Sequence, residues 1–369
     1  MTFLPIIEIP AEPVWGIVAG LVIVTLMVLI LPFKVKFVEH NLEIFFLTMG
    51  ILSVTISGLW SSQLVIEALK TPVMIGSLPI GIFQVVLIVG IIVFFFHKQF
   101  CNAITAMANK LSIRVFIFIL VTVMGLLSSV ISVILMSVLL AEIVPCLPLN
   151  RKDRIRLVVI TCFSLGLGAV LTPLGEPLSA ILGQKLACPP FNAGFTFLLT
   201  TFGKYVIPGV VVIAIFGSIW IGRKTAVSEI TIETESSETL KHVITRAAKV
   251  FVFVAALVLL GEGLKPLIVW FFTKTPAAAL YWINMLSAIL DNATLVCIEV
   301  SSDMTLSQII AITMGLLIAG GMLIPGNIPN IVAAAKLKIN MKEWAVIGIP
   351  IGLVMMTVYF IVLIPVIFK

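Results

Sequence analysis

The stretch LTPLGEPLSAIL, residues 171–182, carries one carboxylate, one glycine and two prolines inside a long apolar run. Glu176 is the only charged residue between Leu157 and Gln184. Proline removes a backbone donor and prevents the carbonyl group four residues back from bonding within the helix. The stretch therefore predicts an interrupted helix with a carboxylate at the interruption, and the presence of Glu176 there requires an explanation.

The composition indicates a membrane protein. Of the 369 residues, 61% are hydrophobic and 11% are charged, and the mean hydropathy is +1.25, whereas a soluble domain is about a quarter charged. The apolar runs have helical lengths rather than the ~10-residue alternation of an outer-membrane barrel. We predict an all-α polytopic membrane protein that binds no nucleic acid, because loop charges explain the net charge of +6.

One hydrophilic stretch divides the apolar segments into two groups. The sequence predicts apolar segments at about 14–32, 44–60, 77–97, 113–147, 155–184, 194–221, 250–272, 277–300, 305–335 and 343–367. We predict four regions, which are an N-terminal extra helix and loop at 1–43, a first repeat at 44–221, a linker at 222–249 and a second repeat at 250–369.

Basic residues predict the orientation in the membrane. Segment 113–147 has basic residues at both ends, so we predict a re-entrant hairpin, with its turn near 125–129 and Cys146 at its cytoplasmic end. A second hairpin at 277–300 completes the assignment. Of the 23 lysine and arginine residues, six are then outside: Lys70, Lys185, Lys204, Lys265, Lys274 and Lys369. The hypothesis is a multi-pass plasma-membrane protein with its N-terminus outside and the linker in the cytoplasm.

The two halves share a sequence pattern. SVISVILMSVLLAEIV (129–144) resembles NMLSAILDNATLVCIEV (284–300), with Ser132 on Ser287 and Met136 opposite Asp291. GLGAVLTPLGEPLSAILGQKL (166–186) resembles AGGMLIPGNIPNIVAAAKLKI (319–339), with Asn327 opposite Glu176. Because the charges orient the halves oppositely, we predict an inverted-topology repeat, in which Gly/Pro-broken helices mark a transporter's binding site.

The two predicted helix breaks and the two hairpins carry oxygen-bearing side chains. Backbone carbonyls freed at a break, together with side-chain oxygens, can coordinate a hard cation. The candidate ion-binding and proton-coupling residues are Glu176, Asp291, Asn292, Thr172, Asn327, Asn330, Thr294, Ser179, Ser137 and Ser132.

Two of these candidates, Glu176 and Asp291, are carboxylates inside apolar segments and would hold a sodium-like cation. A buried carboxylate is costly unless it is paired with a cation or protonated. Burial favours the neutral form of a carboxyl group and a bound cation favours the ionised form, so such a group can exchange a proton for a metal ion. This is the minimum chemistry for cation/proton antiport, although Glu176 could instead cap a helix at the break.

Other polar residues are interpreted more simply. Glu142 and Glu299 lie towards segment ends and are read as interfacial, while Glu262 and Lys265 are read as a local pair or an entry site. The histidines fall at segment ends or in loops, and the five scattered cysteines form no metal or redox motif. Apart from Lys265, no basic residue lies well inside an apolar run, which disfavours an anionic substrate.

At SAILDNAT (287–294), LTPLGEP (171–177) and GNIPNIVAAAKLKI (326–339), the sequence resembles the ion transporter superfamily, in its cation-transporter branch similar to D-type sodium/proton antiporters. The resemblance covers most of residues 113–369. It implies an elevator-like carrier, often a homodimer in the lipid bilayer, with ion sites at hairpin tips and helix breaks. The superfamily's symporters have Ser-Asn-Thr at both tips, whereas here the first tip reads Met136-Ser137-Val138 and the second reads Asp291-Asn292-Ala293.

The resulting functional hypothesis is a secondary active transporter that exchanges a small cation, with sodium as the first candidate, for protons by alternating access. We expect no enzymatic activity and no cofactor other than the transported cation. The alternative on the same fold is a sodium-coupled anion or dicarboxylate symporter. A remote alternative is an intramembrane hydrolase with an aspartyl dyad.

Overall fold

The computed structural model describes residues 9–10, 12–74, 81–187, 189–221, 240–271, 275–300 and 304–368. Within these ranges the regular structure is entirely helical, which confirms the all-α prediction. The N-terminal half of the chain contains α1 (Trp15–Lys34), α2 (Lys36–His40), α3 (Leu42–Ser57), α4 (Ser62–Lys70), α5 (Ile82–Leu111), α6 (Ile113–Ile131), α7 (Val133–Ile143), α8 (Arg151–Ala169), α9 (Pro177–Lys185) and α10 (Phe197–Ile221).

The C-terminal half contains α11 (Leu240–Phe271), α12 (Ala277–Ile283), α13 (Asn292–Glu299), α14 (Leu306–Ala319), α15 (Ile328–Leu337) and α16 (Met341–Ile367). A short 3-10 helix, Asn284–Ala288, continues α12, and another, Ile324–Gly326, lies between α14 and α15. Because α11 begins at Leu240, the described part of the predicted linker, 240–249, is helical. The rest of the linker, 222–239, lies outside the described residues.

Five helices are long and apolar enough to cross a membrane. They are α1, α6, α10, the Val243–Phe271 part of α11, and α16. Large apolar side chains on these helices are exposed, such as Trp15 (73%) and Val346 (75%). A bilayer would cover this surface, so the fold is that of a helical membrane protein.

The first predicted hairpin bends later than expected. The turn predicted near 125–129 is wrong, because α6 continues to Ile131 and the chain leaves helical geometry at Ser132, with φ at 100°. The hydroxyls of Ser128 and Ser129 bond back to the carbonyls of Gly125 and Leu126, at 2.6 and 2.7 Å. These bonds are compatible with a continuing helix, and the glycine serves close packing instead of a turn.

Helices α6 and α8 run parallel to each other. Ser164 Oγ donates to the carbonyl oxygen of Val121 at 2.9 Å, and Thr172 Oγ1 donates to that of Ser129, both with an offset of 43 residues. The N-terminal ends of α6 and α8 therefore lie at the same end of the bundle. The chain between Ser132 and Asn150, which includes α7, must return to that end.

The C-terminal half contains a similar pair of contacts. Asn284 Nδ2 donates to the carbonyl oxygen of Ile312 at 3.2 Å, and Ser287 Oγ donates to that of Leu316 at 3.3 Å. The segment made of α12 and its 3-10 continuation thus runs parallel to α14. In the first half, Ser128 Oγ makes the equivalent bond to the carbonyl oxygen of Leu165 at 3.1 Å. By these contacts Ser287 corresponds to Ser128. Sequence similarity instead paired Ser287 with Ser132, which lies one helical turn later.

Helices α8 and α14 cross in opposite directions. Gly321 lies against the ring of Phe163, and Gly166 lies against the carbonyl oxygen of Leu317. The contacting residue numbers rise along α8 and fall along α14, so the two helices are antiparallel where their C-terminal ends are in contact. Helix α7 packs on α15, and α13 packs on α9. Each half therefore contributes one helix to each of two mixed pairs.

A disulfide joins Cys101 of α5 to Cys146, which follows α7 in a short 3-10 turn. The hydroxyl of Thr105 also donates to the carbonyl oxygen of Cys146 at 3.0 Å. The sequence contains no redox motif at these cysteines, which are 45 residues apart. Because Cys146 has no free thiol here, thiol labelling of native Cys146 does not report the orientation of the protein.

Gly168 is predicted to be essential for the packing of α8 on α6. A Cβ at this position would collide with the carbonyl oxygen of Gly125, and a rigid backbone contact cannot relax as a side chain can. We expect Gly168→Ala to lower the melting temperature of the purified protein by several degrees or to prevent its recovery. Gly16→Ala is the control, because nothing lies within 4 Å of a Cβ there, and equal melting temperatures for the two variants would contradict the packing.

Candidate functional site

The first helix break lies between α8, which ends at Ala169, and α9, which begins at Pro177. Gly175 packs against the carbonyl group of Ala169 so closely that a Cβ would not fit. The carbonyl oxygen of Gly175 accepts a hydrogen bond from the backbone N–H of Val133 at 2.8 Å. The start of α7 is therefore bonded directly to the residue before Glu176.

Glu176 is the N-cap residue of α9 and has extended backbone, with φ −152° and ψ 165°. The hydroxyl of Ser179 donates to the Glu176 carbonyl at 2.8 Å and is 3.2 Å from its backbone nitrogen. Only 5% of Glu176 is exposed. Its carboxyl group lies beside the side-chain amides of Asn292 and Asn327 and close enough to Asp291 for electrostatic coupling, and its Oε1 has no hydrogen-bond partner among the described residues.

The second helix break lies between α14, which ends at Ala319, and α15, which begins at Ile328. Asn327 is the N-cap residue of α15 and is buried. Asn330 Nδ2 donates to the carbonyl oxygens of Gly320 and Leu323, at 2.8 Å each. Asn330 thus satisfies two carbonyls that the break frees, while its Oδ1 has no partner in the described part of the chain.

The chain at the start of α13 brings Asp291 and Asn292 to the same place as Glu176. Residues 289–291 separate the 3-10 helix Asn284–Ala288 from α13, and Asn292 is the first residue of α13. Asn292 is buried, and its Nδ2 lacks a hydrogen-bond partner among the described residues. Asp291 is partly buried. Thr294 belongs to α13, but its side chain is outside the described part of the structure.

Four predicted site residues direct their hydroxyls to backbone groups. Ser132 accepts from the N–H of Ile134 at 3.3 Å, and Ser137 donates to the carbonyl of Ile134 at 2.7 Å. Thr172 bonds to Ser129, as described above, and Ser179 bonds to Glu176. These contacts cap or brace helices, so the structure places the four hydroxyls in supporting positions around the breaks.

The structure thus joins four predicted residues: Glu176, Asp291, Asn292 and Asn327. No group of three or more His, Cys, Asp or Glu side chains able to hold a metal ion occurs among the described residues. The side chains that meet here are two carboxyl groups and two amides, and the oxygens of such groups are ligands for hard cations.

Two glutamates that the sequence predicts to be interfacial are buried within the protein. Glu142 and Glu299 lie at the ends of α7 and α13 and are 3% and 5% exposed. Glu142 forms an ion pair with Lys336 at 3.1 Å. Glu299 lies beside the side chain of Asn284, which the sequence analysis did not select. The available signal was local, because apolar residues flank each glutamate on both sides in LLAEIV (139–144) and VCIEV (296–300).

The Glu262–Lys265 pair predicted from LGEGLKPL forms, with Lys265 Nζ 2.6 Å from Glu262 Oε1. Glu67 of α4 lies close to this pair, and the pKa of Glu67 is raised, chiefly by burial and next by Glu262, while Lys265 acts in the opposite direction. The pair therefore links α4 electrostatically to α11, away from the four residues that meet at the breaks.

We predict that Asn330→Ala destabilises the protein through the second break. The change leaves the buried carbonyls of Gly320 and Leu323 without the amide that bonds them, and each unsatisfied buried group costs about 1–3 kcal/mol. A thermal unfolding measurement should show a clear decrease in melting temperature. Asn102→Ala, at an exposed position of α5, should have no such effect, and equal stability of the two variants would contradict the assigned role.

Comparison with known proteins gives a family but no named relative. No curated protein matches the chain. One family model, described as "Protein of unknown function (DUF1646)", matches residues 18–366. This range includes both helix breaks and every residue of the candidate site, and the chain belongs to this family.

Proposed function

We propose that the protein is a secondary active transporter that exchanges a small cation, with sodium as the first candidate, for protons. One observation carries the proposal. The carboxyl group of Glu176 is buried at the junction of the two helix breaks, with Oε1 unpartnered and with Asn292 and Asn327 beside it. A carboxyl group in such a place must bind a proton or a cation to be stable.

Asp291 gives the site its coupling chemistry. It lies close enough to Glu176 for the two carboxyl groups to influence each other, and two neighbouring carboxylates in an apolar region cannot both remain ionised without a compensating charge. A cation supplies that charge when the site is deprotonated, and protons replace it when the cation leaves. Competition for the same oxygens would therefore couple the two fluxes.

The packing supports alternating access. The antiparallel crossing of α8 and α14, and the mixed pairs α7–α15 and α13–α9, are what two inverted-topology repeats would produce. We accordingly infer that 113–147 and 277–300 are re-entrant hairpins whose tips meet the helix breaks. An elevator-like movement and a homodimer belong to the proposal through the resemblance to the ion transporter superfamily.

An anion symporter is the second candidate, and one observation favours it. The N-terminal ends of α9, α13 and α15 lie together, because Glu176 and Asn327 are the N-cap residues of α9 and α15 and Asn292 is the first residue of α13. Helix N-termini carry partial positive charge and favour anions. The two carboxyl groups at the same position oppose an anion, so cation exchange is the better supported function.

The proposed orientation predicts opposite labelling of two exposed lysine positions. Lys152 lies in the first turn of α8, on the side proposed to be cytoplasmic, and Lys204 lies in α10, on the side proposed to be outside. In a background with the other cysteines replaced, Lys204→Cys should react with an impermeant thiol reagent in intact cells, and Lys152→Cys only after the membrane is opened. The reverse pattern would invert the orientation, and reaction of both in intact cells would contradict the topology.

The exchange is tested by cation-dependent proton flux in proteoliposomes that contain a pH-sensitive dye. Sodium, lithium, potassium or calcium is added in turn to the wild-type protein. We expect a selective pH change that Asp291→Asn abolishes and that Glu176→Gln abolishes or shifts in its pH dependence. Glu343→Gln is the control, because Glu343 pairs with Arg151 at the protein surface at 3.0 Å and should leave the flux intact.

Normal flux in Asp291→Asn or Glu176→Gln would contradict the role of that residue. A wild-type protein that responds to none of the cations would contradict the exchange itself. Sodium-dependent uptake of a dicarboxylate by that same preparation would establish the second candidate instead.

A further inference from the structure

Glu299 is a buried acid that the proposed exchange site does not use. It lies at the C-terminal end of α13, and it is 5% exposed. Neither Oε1 nor Oε2 has a hydrogen-bond partner among the described residues. An uncompensated buried charge costs several kcal/mol, so the carboxylate needs a counter-charge or a proton.

Asn284 adds a third oxygen of the same kind. It is fully buried and lies beside the carboxyl group of Glu299. Its Nδ2 donates to the carbonyl oxygen of Ile312 at 3.2 Å, while its Oδ1 has no partner in the described ranges. The described structure thus leaves three buried acceptor oxygens without a hydrogen-bond partner, on two neighbouring side chains. A proton on Glu299 would satisfy one of them, whereas a cation can be coordinated by oxygens of both side chains.

Glu142, a buried glutamate of the first half, shows what such a carboxylate requires. Glu142, near the end of α7, is as buried as Glu299 and has Lys336 of α15 as its partner at 3.1 Å. Helix α13 packs on α9 as α7 packs on α15. Helix α9 also carries a lysine, Lys185, but its Nζ donates to the carbonyl oxygen of Val300 at 2.8 Å. Lys185 is thus bonded to the backbone, whereas Lys336 is bonded to a glutamate.

We propose that Glu299 and Asn284 form a second binding site, for a small monovalent cation of the sodium class. Carboxylate and amide oxygens are ligands for hard cations, and one carboxylate balances one positive charge. Glu299 lies seven residues after Asn292 on α13, roughly 10 Å along the helix axis. The site is thus distinct from the junction at Glu176, and its occupancy does not depend on proton exchange.

The test measures binding of radioactive sodium to the purified full-length protein with choline as the competing inert cation. It uses the Glu176→Gln/Asp291→Asn background, which removes the carboxyl groups of the proposed exchange site. We expect sodium binding to persist there and to weaken at least about tenfold when Glu299→Gln is added, since a tenfold change corresponds to about 1.4 kcal/mol. Asn284→Ser should weaken it as well, and calcium should compete poorly.

Lys185→Gln separates the cation site from a simple ion pair. Removing this positive charge should leave sodium binding intact or strengthen it. The absence of sodium binding in the background protein, or binding that is unchanged by Glu299→Gln, would overturn the proposal. If Lys185→Gln and Glu299→Gln instead lower the melting temperature equally and sodium has no effect, Glu299 pairs with Lys185.

Either result is independent of the exchange assay. Sodium binding at Glu299 can persist in a protein that moves no protons, and its loss leaves the junction at Glu176 intact. Should the background variant be too unstable to purify, the wild-type protein and Glu299→Gln are compared directly. Loss of one component of a two-site sodium titration would then support the proposal, and identical titrations would contradict it.

Discussion

The need to satisfy backbone groups inside an apolar environment determines how this protein is built. An interrupted helix frees donors and acceptors that no water can reach in a bilayer, so other parts of the protein must bond them. Asn330 bonds the carbonyls freed at the second break, and the N–H of Val133 bonds Gly175 at the first. Each break therefore requires a nearby partner, which Asn330 supplies at the second break and the start of α7 supplies at the first.

A few buried polar atoms of the described residues have no hydrogen-bond partner. Buried polar atoms in native proteins are nearly always bonded, so those that are not deserve an explanation. Among the exceptions in the described part of the chain, Glu176 Oε1, Asn292 Nδ2 and Asn330 Oδ1 belong to the breaks and the start of α13, and Glu299 at the end of α13 neighbours Asn284. The others, Thr122 Oγ1, Arg154 Nε and Thr313 Oγ1, lie in α6, α8 and α14. Exchangeable ligands would use atoms of this kind, because atoms already bonded to the backbone are committed to holding the fold.

The sequence predicted the features that follow from local chemistry. Prolines and glycines located both helix breaks, and the isolated carboxylates at Glu176 and Asp291 identified two residues that lie together. The turn near 125–129 was wrong because Gly125 provides close packing for Gly168, a contact between distant residues that periodicity does not reveal. Glu299 and the Cys101–Cys146 bond were missed for the same reason, since burial near a segment end and pairing across 45 residues depend on how helices pack.

The two halves share a framework but differ in the side chains they place at its centre. The first break contributes the carboxylate Glu176 and the second contributes the amide Asn327, while Asp291 precedes α13 and the hydroxyls of Ser132 and Ser137 bond to backbone groups of α7. Similar contacts thus position the two breaks, and their different side chains make one acidic junction. If cations and protons compete at that junction, coupling needs no communication between distant sites. A cation at Glu299, with a single carboxylate, would lack the second acid on which this competition depends, so it would act as a fixed counter-charge for the hairpin.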